Sequence, residues 1–125
     1  KEFETVIFWD AHSIRRNVST IQKADFPDLI LGNNDGLTAS KNIIESALNS
    51  LKKSGLYLTH NTPFKGGYLT RSKGDPSNGI HALQLEMSKD LYMSHDESVY
   101  DFAKAEKIKE NLKSVFRNLI TLIDG

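Results

Sequence analysis

Residues 80–87 read Ile-His-Ala-Leu-Gln-Leu-Glu-Met, an apolar run of strand length with a single carboxylate, Glu86, set inside it. A strand alternates its side chains between two faces, so this run sorts itself. Ile80, Ala82, Gln84 and Glu86 fall on one face; His81, Leu83, Leu85 and Met87 fall on the other. Glu86 and His81 therefore do not meet at one site unless a bulge intervenes. A carboxylate among such neighbours either sits at a solvated strand end or is buried beside a partner, because unpaired burial is costly. Pattern alone leaves both readings open.

A second run, residues 6–9 (VIFW), reads as a strand buried on both faces. Extended further, it puts Phe8, Asp10 and His12 on one face, with Asp10 and His12 at the strand's carboxyl end. In open α/β sheets that end is where ligands bind. Residues 13–26 read as a long loop containing adjacent Arg15 and Arg16. Residues 28–31 form a short strand, stopped by the turn sequence GNNDG. Ile43, Ile44, Ala47, Leu48 and Leu51 recur at helical spacing, followed by Lys52, Lys53 and Gly55, a good helix end. Residues 56–58 read as the next strand and residues 68–70 as a short extended piece. From about Ser98 the apolar spacing is helical to the end, with charges on the opposite face. The order β-β-α-β-(loop)-β-α gives an α/β fold, with one mixed sheet and flanking helices.

Length and charge exclude several functions. A chain of 125 residues forms one domain with a single core. Sixteen basic and sixteen acidic side chains cancel, so no global field favours nucleic acid or an anionic membrane. No apolar run approaches bilayer length. The absence of cysteine excludes disulfides, thiolate metal sites and a cysteine nucleophile, and fits a reducing, cytoplasmic setting. The chain opens at Lys1 almost directly onto its first strand, so the expectation is a piece of a longer protein.

Read singly, the candidate residues are ambiguous. Asp10-x-His12 describes a hydrogen-bonded structural histidine or a metal ligand oriented by a carboxylate. Gly66-Gly67 permits close approach to a ligand or merely a tight turn. Arg71 clamps a carboxylate or decorates the surface. Glu86 serves as a general base only if its strand lies beside that of His12.

Together, the words WDAHSIRR, LILGNNDG, NTPFKGGYLTR, KGDPSNGIHALQLEM and the trailing LYM resemble the N-formylglutamate amidohydrolase (deformylase) family, in its order and spacing, over about residues 7–93. The resemblance implies a fold similar to zinc carboxypeptidases and aspartoacylase-type deacylases (phosphorylase/hydrolase-like), present here as a partial domain. It implies that His12 is a ligand to Zn2+ or another divalent metal and Glu86 the general acid/base, with Asp10 supporting the site. Arg15 and Arg71 become the candidate cations for the carboxylates of an N-acylglutamate. Asn61 and Tyr68 become polar contacts, and Gly66 and Gly67 let the loop approach the ligand. Further metal ligands are expected from sequence outside this chain. The alternative is a non-catalytic domain on the same scaffold that binds small carboxylates. A phosphate-binding module is disfavoured, because no glycine-rich loop leads into a helix N-terminus. The expected partner is a small N-acyl amino acid. Self-association, or a missing amino-terminal half, is expected to cover the strand at residues 6–9.

Overall fold

The computed structural model describes residues 3–124, so the chain's start at Lys1 lies outside it. Four strands form one mixed sheet: β1 (Val6–Ile14), β2 (Leu29–Gly32), β3 (Leu58–His60) and β4 (Ile80–Ser88). Their order is β1-β4-β2-β3. β4 runs parallel to β1 and antiparallel to β2, and β2 runs parallel to β3. The period-two reading of β4 holds without a bulge: its pairing with β1 is continuous from Val6↔Ile80 to Ile14↔Ser88.

The odd face of β4 enters the core. Leu83 and Leu85 join Leu29 and Leu31 of β2 beneath two helices, α1 (Lys41–Lys52) and the long carboxyl-terminal α3 (Phe102–Asp124). Ile43, Ala47 and Leu51 of α1 and Ile108, Val115 and Leu119 of α3 complete this layer. Their spacing is the helical stripe that packs on a sheet. Trp9 lies edge-on to Phe116, with ring centroids 5.1 Å apart, and so carries the layer to β1. On the opposite face of β1 and β4 lie a short helix, α2 (Tyr68–Lys73), and the segment leading into it.

Four expectations are corrected. Residues 68–70 are helical, not extended. The chain leaves Gly66 at φ +138° and Gly67 in an extended conformation, and the Arg71 N–H closes the first helical turn on the Gly67 carbonyl at 3.0 Å. Residues 13 and 14 belong to β1 rather than to a loop, because β4 extends to Ser88 and keeps offering them a partner. β1 is an edge strand in this sheet, and residues 6–9 are not buried on both faces. Val6 is exposed, Ile7 to Trp9 are half-buried, and Asp10 is the buried residue of the strand. The last helix starts at Phe102, four residues later than its apolar spacing suggested. Among the described residues no helix is long and apolar enough to cross a membrane.

His81 faces away from Glu86, as the alternation requires, and ties α1 to the sheet. Its Nδ1 accepts the Ser40 N–H at 3.1 Å beside the first turn of α1. Burial lowers its pKa from the usual 6.5. A proton on Nδ1 would face that N–H and the positive end of the helix dipole. The folded state thus binds this proton less readily than the unfolded chain, so stability is lost as pH falls below about 6.5. Asparagine offers an acceptor that does not titrate. His81→Asn is expected to shrink the fall in urea midpoint between pH 7.5 and 5.5. An undiminished fall would assign the acid sensitivity elsewhere, His60 included, whose pKa burial also lowers.

Candidate active site

The parallel register sets His12 beside Glu86 and Asp10 beside Gln84, on the face away from α1 and α3. On its other side Glu86 has Ile30 of β2 as ladder partner. Glu86 is half-buried, and the loss of water raises its pKa above the usual 4.5. His12 opposes that rise and Asp10 adds to it, both through space. A carboxyl group with raised proton affinity at the wall of a cleft is suited to taking up and returning a proton.

His12 is braced. Its Nε2–H donates to Asp10 Oδ1 at 2.9 Å, and the second Asp10 oxygen accepts from the buried Thr70 hydroxyl at 3.1 Å. Asp10 is 7% exposed, so both oxygens are satisfied inside the protein, one by each partner. In neutral imidazole this leaves Nδ1 as the ring's acceptor. Thr70 was not a candidate from sequence. It is brought here by α2, and the helical turn from Gly67 is what aims its hydroxyl at Asp10.

His12, Gln84 and Glu86 line a cleft of about 340 Å³, and residues 63–67 form its wall. Gly66 and Gly67 thus form part of the cleft's wall. Gly67 donates its N–H to Gln84 Oε1 at 2.7 Å. A Cβ on Gly66 would stand 2.9 Å from the Thr70 Cγ2. The other sequence candidates lie outside the lining. Arg71 is exposed and donates to the Gly66 carbonyl at 2.8 Å. Arg15 is exposed and pairs with Glu97 at 3.7 Å. Its neighbour Arg16 is structural, held by Asp90 and Asp28 at 2.7 Å each. Tyr68 is 74% exposed on α2.

Asn61, at φ +59°, exchanges amide hydrogen bonds with Asn33, each 2.9 Å, in the neighbouring hollow that also holds His60. This contact starts the 61–67 segment in place. Lys65 continues it, accepting the Asn34 N–H on its carbonyl and pairing its ammonium with Asp35.

The Asp10–His12 couple has the form of a carboxylate-supported metal ligand. A catalytic zinc takes three protein ligands. Among the described residues no three His, Asp or Glu side chains are grouped so as to hold a metal ion, and the sequence has no cysteine. These residues fit one ligand position and not a whole metal centre.

The N-formylglutamate amidohydrolase family model matches residues 1–93. The chain belongs to that family. Two curated relatives, the N-formylglutamate deformylases of Pseudomonas aeruginosa and Pseudomonas putida, are 35% and 31% identical over 121 and 122 residues. These matches cover 95% and 96% of this chain but 44% of each relative. The crystal structure of N-formylglutamate amidohydrolase from Ralstonia eutropha JMP134 superposes with a TM-score of 0.82 at 23% identity, over 95% of this chain and 44% of that one. The chain therefore spans less than half the length of these family members, and the last likeness is one of fold.

Proposed function

We propose that this cleft is the proton-transfer side of a hydrolytic site that removes a formyl, or similar acyl, group from an N-acylglutamate. The observation that carries the reading is the register pair of a desolvated Glu86 and a carboxylate-braced His12 in one cleft, in a family whose named relatives are N-formylglutamate deformylases. Glu86, as carboxylate, takes a proton from water as the water oxygen adds to the amide carbonyl carbon. It then delivers that proton to the nitrogen as the C–N bond breaks, releasing formate and the amino acid. Asp10 and Thr70 hold the His12 ring in orientation throughout.

His12 is our choice for one ligand of Zn2+ or another divalent metal, on a scaffold akin to zinc carboxypeptidases and aspartoacylases, with the remaining donors outside residues 1–125. Residues 1–125 alone are then catalytically incomplete. They are expected to bind zinc weakly and exchangeably and to release no appreciable formate from N-formylglutamate. The same residues within a polypeptide of the curated relatives' length should bind zinc tightly and release formate. Tight stoichiometric zinc with normal turnover by a monomer of residues 1–125 would contradict this. Carboxylate binding without metal or turnover at the longer length would favour the binding-domain reading.

Arg71 uses one guanidinium nitrogen on the Gly66 carbonyl, itself part of the cleft wall, and keeps further donors for a substrate carboxylate. In the longer polypeptide Arg71→Ala should raise KM for N-formylglutamate about 10- to 100-fold, the range expected for a lost charge-assisted hydrogen bond. An analogue lacking carboxylates should be affected far less. Equal effects on both would leave Arg71 a brace for the Gly66 turn.

A further inference from the structure

Gln84 is 7% exposed, yet its side chain ends at the cleft beside His12 and Glu86. Its oxygen is committed: the Gly67 N–H donates to it at 2.7 Å. A backbone N–H can be met only by the acceptor end of a carboxamide, so this contact fixes which end is oxygen and which is NH2. No partner of the NH2 group is found among the described residues, and no fully buried side-chain nitrogen or oxygen there lacks one. The NH2 group therefore opens on the cleft, with donors that protein atoms leave unused. A ligand oxygen in the cleft can accept from this donor.

Gln84 and Glu86 share a face two residues apart, about 7 Å along the strand. That spacing matches the reach from the acyl carbonyl to the side-chain carboxylate of an extended N-acylglutamate. The α-carboxylate lies closer to the reacting carbon. We infer that Gln84 Nε2–H donates to the substrate's side-chain carboxylate, making Gln84 a specificity-determining residue. The inference rests on the proposed N-acylglutamate substrate.

The test is a 15N NMR titration of residues 1–125 with N-formylglutamate and with N-formylnorvaline, which keeps the acyl group and α-carboxylate but lacks the side-chain carboxylate. The wild-type chain should bind N-formylglutamate at least about 10-fold more tightly, with the Gln84 NH2 signals shifting only for that ligand. Gln84→Glu keeps an oxygen for the Gly67 N–H and removes the donor. It should leave the Gly67 amide signal in place and bring the affinity ratio to about one. The inference is overturned by a wild-type chain that binds neither ligand or shows no preference. It is also overturned by a preference that survives in Gln84→Glu, or by equal loss of both ligands together with a displaced Gly67 signal. Should Gln84→Glu not fold, the wild-type NH2 shifts and affinity ratio decide. Formate release is scored separately in the longer polypeptide. Its absence removes the hydrolytic reading, while glutamate-selective binding through Gln84 would stand without it.

Discussion

Replacing Glu86 with glutamine is expected to lower formate release from N-formylglutamate by about 10²–10⁴-fold in a polypeptide of the relatives' length, the range general acid–base catalysis supplies. The amide keeps the shape of the carboxyl group but cannot take the proton from water. The fold should survive, because Glu86 accepts no hydrogen bond from another described residue and its charged form is opposed by lost water. The sign of the pH effect follows. With its folded pKa raised above 4.5, Glu86 binds its proton more tightly in the folded state. Its contribution to stability is complete below about 4.5 and is lost as pH rises through the folded value. Glu86→Gln should therefore lose less stability than wild type between pH 4.5 and 7. Near-normal turnover in this variant would remove Glu86 from the mechanism.

Gly32→Ala is expected to cost about 1–3 kcal/mol of stability and to impair the cleft together with the fold. A Cβ at Gly32 would overlap the carbonyl of Lys65, which is backbone and cannot rotate aside. That carbonyl accepts the Asn34 N–H at 2.8 Å, and the same segment goes on to Gly67 and its bond to Gln84. Relieving the clash pushes residues 63–67, the cleft wall, away from the sheet. Urea denaturation with formate release from the longer polypeptide checks both halves of this expectation. A fully active, equally stable Gly32→Ala would show that the wall's position is not set by this contact.

What the sequence disclosed follows from what is local in it. Two-residue alternation put Asp10 with His12 and separated His81 from Glu86, because a strand's geometry needs no tertiary information to be read. That Glu86 is desolvated, and not at a wet end, depends on β1 and β2 lying on either side of β4, and strand order is not written in any one stretch. The helix α2 was missed because six residues carry too little periodicity and because its start is a glycine turn. Its purpose is also long-range, since Thr70 reaches Asp10 sixty residues earlier. The edge position of β1 was hidden by the apolar character of residues 6–9, which reflects packing against Phe116 and α3 on one face. Gln84 lies in the motif KGDPSNGIHALQLEM, yet its contact with Gly67 is long-range, because a loop and α2 separate the two along the chain. Arg15 and Arg71 stand out by their charge and by the segments that resemble the family, and neither shows that Arg15 turns to Glu97.

The central claim is that Glu86 and a braced His12 act together on an N-acylglutamate in this cleft. The most direct measurement is formate release from N-formylglutamate by the polypeptide of the relatives' length, comparing wild type with Glu86→Gln and His12→Ala. The account predicts turnover by wild type and a loss of at least about 10²-fold in each variant, with unchanged circular dichroism. Wild-type rates in either variant, or no formate from a folded wild-type protein supplied with zinc, would contradict it.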